Sequence, residues 1–342
     1  MDITDLHGRL LALGARPKHA DRVLRRWVQC LPQDSRHRRT GDFLAGPVRG
    51  ELPSLLANWS ALARLAERHP GEDGAERLLV GLQDGQSVET VLLPGGGLCV
   101  STQVGCAVGC VFCSTGQSGL LRQLGSAEIV AQVVLARTMR PVRKVVFMGM
   151  GEPAHNLDAV LEAIGFLGTE GAIGHKNLVF STVGDPRVFE RLLQERVQPA
   201  LALSLHSTLP ERRRRLLPRA PEIAPAELLD RGEEYARRTR YPVQVQWTLI
   251  EGVNDDDADL DEAGRLLRGK YAVLNLIPCN VVPGLSFRRP SRERMLEIAR
   301  RLHQAGVLTK LRHSAGQEVE AGCGQLRARR TISWLGSAPA SR

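Results

Sequence analysis

The chain has 342 residues, a net charge of +9 and seven cysteines. This length suffices for a sizeable core and about two domains, and the sequence has no apolar run of the ~18 residues that a membrane span needs. The cysteine content does not indicate a secreted disulfide scaffold, and the first residues lack a cationic segment followed by an apolar one. We therefore expect a cytoplasmic protein with no membrane partner. The positive net charge favours an anionic ligand.

Residues 1–75 are predicted to form short, basic helices. Between residues 19 and 31, apolar side chains recur at helical spacing with arginines between them. Such arginine groups are typical of RNA or DNA binding, although a coding bias toward arginine gives the same composition. We predict an RNA-binding accessory domain here. The arginine groups of the chain are Arg22, Arg25 and Arg26; Arg36, Arg38 and Arg39; Arg212 to Arg215; and Arg327, Arg329 and Arg330.

Residues 76–97 are predicted to form a β-hairpin that leads into the next domain. Its turn falls at Asp84-Gly85, a dipeptide typical of tight hairpin turns. On the second strand, Glu89 shares a face with Val91, because side chains alternate along a strand. A carboxylate on an apolar face usually marks only a strand edge or the end of a hairpin. The pattern alone therefore assigns no role to Glu89.

Three cysteines, Cys106, Cys110 and Cys113, stand on one short segment with three and then two residues between them. Proteins that hold a [4Fe-4S] cluster normally supply four thiolates, so three would leave one iron open to a small molecule. Structural zinc sites take four ligands, usually in two pairs, and Cys30 and Cys279 stand alone. The spacing therefore favours a [4Fe-4S] cluster. A zinc ion with three thiolates and a water is the alternative.

From residue 98 onward, predicted strands and helices alternate. This order predicts an α/β fold, with a parallel sheet and helices outside it, arranged as an open (β/α)6 partial barrel over residues 98–326 and followed by a polar tail at 327–342. Active sites of such barrels lie at the carboxyl ends of the strands. The predicted strands are 77–82, 87–93, 98–103, 144–148, 178–181, 200–205, 243–249 and 273–277, and the main predicted helices are 127–138, 186–196, 225–238 and 291–305.

Polar residues follow the predicted barrel strands where they end. After the second strand comes Gly149-Met150-Gly151-Glu152-Pro153, where glycines allow a ligand to approach the backbone and Glu152 can accept from a ligand ammonium group. Singly, each polar residue is more often structural than a ligand contact, but polar groups at successive strand ends fit a bound nucleoside better than a packed core. The other strand-end residues are Ser181, Ser204, Leu205, His206 and Asn280.

Five motifs in chain order carry a resemblance to a known family. They are Ser101-Thr102-Gln103-Val104-Gly105-Cys106 preceded by Cys99, Phe112-Cys113-Ser114-Thr115-Gly116, Gly149-Met150-Gly151-Glu152-Pro153, Leu274-Asn275-Leu276-Ile277-Pro278, and Ala321-Gly322-Cys323-Gly324-Gln325-Leu326. They resemble those of the radical S-adenosylmethionine (SAM) RNA adenine methyltransferases of the RlmN/Cfr family. The resemblance extends from about residue 89 to residue 326.

The resemblance implies a radical SAM partial barrel and two cofactors. Cys106, Cys110 and Cys113 would hold a [4Fe-4S] cluster, and SAM would chelate the open iron through its amino and carboxylate groups. An electron donor such as flavodoxin or ferredoxin and a monomeric state are also expected. The SAM contacts carried over from the family are Gly151, Glu152, Ser181, Ser204, Leu205, His206 and Asn280.

The resemblance also implies three catalytic residues. Cys323 would first take a methyl group from one SAM, and a second SAM would be cleaved to a 5′-deoxyadenosyl radical that abstracts hydrogen from that methyl group. The methylene radical would add to the adenine carbon. Glu89 would then remove the ring proton, and Cys99 would attack the Cys323 sulfur, releasing the product and leaving a Cys99–Cys323 disulfide.

Three segments depart from the family pattern on the side that faces the substrate. Cys279 stands where many members have Trp, Val183 stands where Ser is common, and residues 314–320 replace the usual approach to the reactive cysteine. The radical chemistry is therefore better supported than the RNA target.

Three functions follow as hypotheses. The first is methylation of an adenosine at C2 in rRNA, tRNA or both. The second is the same chemistry at C8 or on another RNA, and the sequence does not separate these two. The third is an iron–sulfur protein that binds RNA without turnover. Glu89, Cys99 and Cys323 argue against the third hypothesis, because a binding module needs none of them.

Overall fold

The computed structural model describes residues 1–35 and 37–327. Arg36, Arg329, Arg330 and nearly all of the predicted polar tail lie outside this part. The α-helices are α1 (Ile3–Ala12), α2 (Pro17–Val28), α3 (Gly46–Ser60), α4 (Ser114–Gln117), α5 (Ser126–Met139), α6 (Leu157–Thr169), α7 (Pro186–Gln194), α8 (Pro210–Leu216), α9 (Pro225–Thr239), α10 (Asp257–Leu267) and α11 (Arg292–Gln304). No helix of the described residues is long and apolar enough to cross a membrane.

Twelve strands are present in the described residues, and ten of them form one mixed sheet. The strands are β1 (Arg64–Pro70), β2 (Glu76–Gly81), β3 (Ser87–Leu93), β4 (Gly97–Cys99), β5 (Gln103–Gly105), β6 (Leu120–Gln123), β7 (Lys144–Phe147), β8 (Leu178–Thr182), β9 (Ala200–Ser204), β10 (Val243–Leu249), β11 (Ala272–Pro278) and β12 (Thr309–Leu311). The order in the large sheet is β1-β2-β3-β4-β7-β8-β9-β10-β11-β12. Strands β1 to β4 pair antiparallel, and β4 and β7 to β12 pair parallel.

The expected open (β/α)6 partial barrel is confirmed. Strands β4, β7, β8, β9, β10 and β11 are its six parallel strands, and crossover helices separate them along the chain. Because β1 and β12 stand at opposite ends of the strand order, the sheet remains open. Two additions were not predicted. β12 is a seventh parallel strand, and the hairpin of β2 and β3 extends the same sheet instead of preceding it.

One strand prediction was wrong at the start of the barrel. The segment expected as a single strand over 98–103 divides into β4, which lies in the large sheet, and β5, which pairs antiparallel with β6 in a separate two-stranded ribbon. Between them, the Val100 amide still donates to the Val146 carbonyl at 3.0 Å before the chain turns away. Every residue of the segment is buried, so hydrophobicity does not mark the bend.

The prediction of a purely helical domain over 1–75 was also wrong. Helices α1 to α3 end at Ser60, and β1 then pairs with β2. The sequence of β1 is largely polar and mostly exposed, so it lacks the apolar alternation that predicts a strand. The three helices pack on the barrel helices α5 and α6 and belong to the same hydrophobic core. The chain therefore has no independent core boundary near residue 75.

The register of β2, β3 and β4 determines which side chains reach the site. Val91 pairs with Arg77 on one side and with Cys99 on the other, and Glu89 pairs with Leu79. Directly paired residues point to the same face of a sheet, and so do residues two apart on one strand. Arg77, Glu89 and Cys99 consequently lie on one face of three adjacent strands.

Candidate active site

A cavity lies at the carboxyl ends of the parallel strands, where the sequence predicted the active site. It brings together most of the predicted site residues from segments far apart in the chain. Leu205, Asn280, Glu89 and Cys99 are not among the residues that line it. The predicted residues that do line it are Cys106, Cys110, Cys113, Gly151, Glu152, Ser181, Ser204, His206 and Cys323.

The cysteine loop, residues 106–113, is held at both ends by backbone contacts. It begins after Gly105, whose φ of +83° and close approach to Gly119 admit no side chain, since a Cβ there would lie 1.9 Å from the Gly119 carbonyl oxygen. At its other end, the Ser114 amide donates to the Gly324 carbonyl at 2.7 Å. The loop is thereby tied to the segment that carries Cys323.

The three thiols of this loop fit a [4Fe-4S] cluster. Burial raises the pKa of Cys106 to about 12 and raises the pKa of Cys110 well above its ordinary value. A bound cluster replaces the proton with positive charge and stabilises each thiolate. In residues 1–35 and 37–327, no three His, Cys, Asp or Glu side chains converge on one ion position. A cluster needs no such convergence, because each thiolate binds its own iron.

Glu152 lies on the cavity wall, and backbone groups fix its position. Its amide donates to Gln103 Oε1 at 2.7 Å, and its two carboxylate oxygens accept from the Ala154 and Val183 amides, each at 3.1 Å. Burial raises the pKa of Glu152 to about 7, while hydrogen bonds from Thr182 and these two amides oppose the rise. A ligand ammonium group beside it would favour the carboxylate form.

His206 presents a neutral imidazole to the cavity. Its ring stacks edge-on against Phe112, with centroids 4.9 Å apart, and its Nδ1 accepts from the Thr248 amide at 2.9 Å. Burial, followed by the charge of Arg213, lowers the pKa of His206 to about 3. Because Nδ1 is the acceptor, the proton resides on Nε2. His206 therefore offers a donor and connects the cavity wall to the cysteine loop.

Asn280 and Leu205 occupy positions behind the cavity wall. The Asn280 amide nitrogen donates to Ser314 Oγ at 2.9 Å and to the Cys323 carbonyl at 3.0 Å, while its Oδ1 is buried and has no partner in the described residues. That oxygen is an acceptor for a donor group of a bound ligand. The Leu205 side chain is fully buried, and its amide donates to the Gln246 carbonyl.

Cys323 lies between the cysteine loop and Cys99. Cys323 is accessible from the cavity. The surrounding protein still removes much of its hydration, which raises the pKa of its thiol. A hydrogen bond with Ser314 opposes this rise, and the nearby Cys113 adds to it. Cys99 is buried at the end of β4, and burial, followed by the proximity of Cys323, raises its pKa far above the ordinary value. All seven cysteines lie within the described residues and are free thiols, so the disulfide implied by the resemblance is not formed here.

Glu89 is fully buried and forms an ion pair with Arg77, which is 5% exposed. One carboxylate oxygen accepts from Arg77 Nη1, and the other accepts from the Arg327 amide at 2.7 Å. The Glu89 carbonyl accepts from Ser101 Oγ at 2.6 Å. Arg77 also donates through Nε to the Val319 carbonyl at 2.6 Å, so this buried pair contacts the segment that leads to Cys323.

The three positions that depart from the family pattern lie in two places. Val183 and Cys279 are buried in one apolar cluster with Phe112 and the cysteine loop, and Val183 also lines the cavity. Burial raises the pKa of Cys279 to about 11. Residues 314–320 pack instead on the turn before β2, where the Gly316 amide donates to Asp73 Oδ2 at 2.9 Å. The first two positions therefore adjoin the cysteine loop, and the third adjoins the hairpin.

Two arginines of the site were missed from the sequence. Arg77 is a single arginine on an apolar strand, and only the register observed in the structure places it diagonally beside Glu89. Arg213 belongs to the group Arg212 to Arg215, whose sequence pattern indicated a possible RNA contact, yet it is buried and donates to the carbonyls of Val183 and Ser204. Burial lowers the pKa of Arg213 to about 10. No sequence signal separates it from its neighbours in the run.

Comparison with known proteins agrees with this geometry. Residues 100–263 match the Radical SAM superfamily. A probable RNA methyltransferase of Azoarcus sp. (strain BH72) is 68% identical over 329 residues, covering 96% of this chain and 95% of that protein. A probable RNA methyltransferase of Pseudomonas aeruginosa is 64% identical over 329 residues, with the same coverage of both chains.

A solved structure extends the agreement to the fold. The crystal structure of a radical SAM methyltransferase from Sphaerobacter thermophilus matches with a TM-score of 0.83 at 35% sequence identity, covering 96% of this chain and 98% of that chain. The cofactors of this class are a [4Fe-4S] cluster and SAM, in agreement with the donor set of the cavity. The chain therefore belongs to the radical SAM superfamily and, within it, to the family of these probable RNA methyltransferases.

Proposed function

We propose that this protein methylates the C2 carbon of an adenosine in rRNA or tRNA through a methylated Cys323. The observation that carries the proposal is the position of the Cys323 thiol, which lines the cofactor cavity, lies near Cys113 of the cysteine loop and lies near Cys99. A structural cysteine requires none of these neighbours. A thiol that takes a methyl group from SAM and later yields its sulfur to a second thiol requires all of them.

Residues of this chain hold the two cofactors in the cavity. Cys106, Cys110 and Cys113 bind three irons, and Glu152 accepts from the SAM ammonium group. When bound, the cluster and SAM supply a methyl group and a 5′-deoxyadenosyl radical. The wall residues Ser181, Ser204 and His206 orient SAM, Gly151 admits it close to the backbone, and Asn280 Oδ1 accepts from a donor group of the bound ligands. Leu205 contributes through its backbone position.

Cys323, Glu89 and Cys99 act in sequence on the RNA base. The Cys323 sulfur carries the methyl group, which would lose a hydrogen atom to the 5′-deoxyadenosyl radical and then bond to the adenine carbon. The unpaired electron left on the ring would pass to the oxidised iron–sulfur cluster. Glu89 takes the proton from that ring carbon. Cys99 then gives up its proton and attacks the Cys323 sulfur. A sulfur–sulfur bond forms and the sulfur–carbon bond breaks. The electron pair of that bond passes to the methylene carbon, which takes up a proton and becomes the product methyl group.

Basic side chains of the N-terminal helices support binding of the RNA backbone. A polar cavity of about 530 Å³ opens where α2 begins, and Arg16, Lys18 and Arg38 line it. Arg25 is paired with Glu170, and Arg26 donates to backbone carbonyls, so these two arginines of the predicted group are engaged within the protein. The phosphate contacts in the proposal therefore come from Arg16, Lys18 and Arg38.

An electron donor and a cellular location complete the proposal. Reductive cleavage of SAM needs a one-electron donor, and flavodoxin or ferredoxin supplies it in our proposal. The enzyme acts as a monomer in the cytoplasm, where its RNA substrate and a reducing environment for its seven thiols are both found.

Replacing Cys99 with Ala tests the role of the thiol pair. The variant should still methylate Cys323 and add it to the adenine, but without the second thiol it should remain covalently bound to RNA. Denaturing gels of protein expressed in cells, run with and without ribonuclease, should show a shift that ribonuclease removes. Cys279→Ala, which removes another buried thiol near the cluster, should show no shift. Normal turnover of Cys99→Ala without a shift would contradict the proposal.

The methylated carbon and the RNA class are tested together. RNA from a strain deleted for this gene should lack one methyladenosine, and nucleoside mass spectrometry of separated rRNA and tRNA should identify it as 2-methyladenosine. Restoring the gene should restore the nucleoside, and a Cys323→Ala gene should not. Loss of 8-methyladenosine instead would assign the same chemistry to C8. An unchanged set of nucleosides in both RNA classes would exclude these targets.

A further inference from the structure

Arg77 joins the two parts of the site that act on the RNA base. Its guanidinium donates through Nη1 to the Glu89 carboxylate and through Nε to the Val319 carbonyl, four residues before Cys323. A guanidinium is planar and presents its donors in fixed directions, so these two contacts set the position of the Glu89 strand relative to the Cys323 segment. An ammonium group, which is a single point charge, does not reproduce both contacts.

A second ion pair, which joins β1 to β2, shows what is unusual about this one. Arg68 of β1 pairs with Glu76 of β2, and their side chains are 55% and 11% exposed, whereas those of Arg77 and Glu89 are 6% and 0% exposed. A buried ion pair must give up the hydration of both charges, and apolar residues of similar volume often stabilise a fold equally well or better. Stability alone therefore does not account for a pair buried at this position.

The Cys323 segment has further attachments to the same hairpin. The Gly316 amide donates to Asp73, and the Glu72 amide donates to Glu318 Oε1 at 2.9 Å. These bonds hold residues 314–320 on the turn before β2. Arg77 extends this contact inward, from the turn to the carboxylate of Glu89. Residues 314–320, which depart from the family pattern, thus contact Arg77 through Val319, and Arg77 holds the Glu89 carboxylate.

We propose that Arg77 is a positioning residue for the proton-removal step. It holds the Glu89 carboxylate at a fixed distance from the adenine ring that is bound to Cys323. One electron of the adduct would first pass to the oxidised iron–sulfur cluster. The ring carbon–hydrogen bond then breaks, its electron pair stays in the ring, and the proton moves to a Glu89 oxygen. One Glu89 oxygen accepts from Arg77 and the other accepts from the Arg327 amide, so both oxygens of the carboxylate are held in place. This inference rests on the proposed role of Glu89.

The test compares Arg77→Gln and Arg77→Lys with Arg68→Gln, which breaks the partly exposed pair between Arg68 and Glu76. Each anaerobically reconstituted protein is given SAM, a chemical reductant and total RNA from a strain deleted for this gene. Three quantities are measured: 5′-deoxyadenosine, methylation of Cys323 by intact mass, and methylated adenosine in the RNA. A denaturing gel reports covalent protein–RNA adduct.

Arg77→Gln should cleave SAM and methylate Cys323 as the parent protein does, but form methylated adenosine about 10²-fold more slowly, at the lower end of the effect of a general base. Adduct should accumulate. Arg77→Lys should recover part of the product rate, because it restores the charge but not both contacts. Arg68→Gln should match the parent protein in every measurement. An Arg77→Gln protein with normal product formation would overturn the inference.

Further outcomes distinguish positioning of Glu89 from a purely structural role of Arg77 and test the role of Glu89 itself. If Arg77→Gln and Arg77→Lys both lose cluster iron and SAM cleavage in parallel with product, Arg77 is merely structural and the inference fails. Adding Arg77→Gln to Glu89→Gln should slow the product step no further, because both changes remove the same interaction. If Glu89→Gln alone leaves product formation unchanged, the proposed role of Glu89 fails, and the inference fails with it. If Glu89→Gln slows the formation of methylated adenosine and Arg77→Gln does not, the proposed role of Glu89 stands and only the inference about Arg77 fails.

Discussion

Two adjoining regions of the site are built in opposite ways. The first, the cofactor half, consists of the cysteine loop and the ends of β7 to β9, and its side chains face an open cavity. The second, the base half, is the one proposed to act on the RNA base. It consists of the hairpin of β2 and β3, the end of β4 and the segment from residue 314 to 327, of which Cys323 and Gly324 line the cavity. There Glu89 and Arg77 are buried and paired with each other.

This difference follows from what each half must bind. The cofactor half receives ligands that supply its missing charges, so its thiols, Glu152 and His206 have pKa values shifted toward the neutral form. The base half instead contains a carboxylate that is already paired with a buried arginine of the same chain. The cofactor half therefore depends on its ligands, whereas the base half is preorganised by the protein.

The largest effect is expected from the cysteine loop. Replacing Cys106, Cys110 or Cys113 with Ala should abolish both the cluster and SAM cleavage, because three thiolates are needed to hold the cube. Iron analysis after anaerobic reconstitution should find about four irons per parent chain and none in the variants. Cys279→Ala should keep its iron. Stoichiometric zinc without iron in the parent protein would contradict this assignment.

A smaller effect, confined to one step, is expected in the base half. Glu89→Gln should slow formation of methylated adenosine by roughly 10²- to 10⁴-fold, the range typical of a general base, with SAM cleavage unchanged. Single-turnover assays that follow 5′-deoxyadenosine and methylated adenosine in one sample would measure both. Equal losses of the two products would show that the halves are not separable.

The buried imidazole of His206 should make the fold sensitive to acid. Its pKa is about 3 in the folded protein and 6.5 when unperturbed, so both states are neutral above pH 6.5. Below that pH only the unfolded state takes up this proton, so His206 should lower the free energy of unfolding by about 1.4 kcal/mol per pH unit down to about pH 3. Glu152, whose pKa is raised by burial to about 7 in the folded protein, acts in the opposite direction between pH 7 and 4.5, so only the difference from a His206 variant isolates the histidine. Urea unfolding of the parent protein and of His206→Gln between pH 7 and 5 would measure the difference in slope. Parallel slopes would contradict the assignment.

The smallest effect is expected outside both halves of the site, at the N-terminal helices. Replacing Arg16, Lys18 and Arg38 together with Ala should weaken RNA binding and reduce the slope of log affinity against log salt by about 0.7 to 0.9 per lost phosphate contact. Iron content should not change. The matched control replaces Arg231, Arg237 and Arg238 of α9, which pair with glutamates on the same helix. If both triple variants alter the salt dependence equally, the basic charge is compositional.

The sequence by itself determined the cofactor half. Cys106, Cys110 and Cys113 share one short loop, Glu152 follows a glycine turn, and the ends of parallel strands meet at one edge because every crossover returns the chain in the same direction. Local spacing and the alternation of strands and helices were therefore sufficient. These two patterns did not predict the strands correctly where every residue is buried, as in the bend between β4 and β5, or where apolar residues are few, as in β1.

Only the tertiary structure decided the base half. Its residues come from β2, β3, β4 and the segment near Cys323, and their approach depends on strand register and on long-range hydrogen bonds such as that from Arg77 to Val319. The resemblance assigned roles to Glu89 and Cys99, but the residues around them gave no sign of Arg77. Register is set by packing across the whole sheet, and a contact between residues 77 and 319 leaves no periodic trace in the chain.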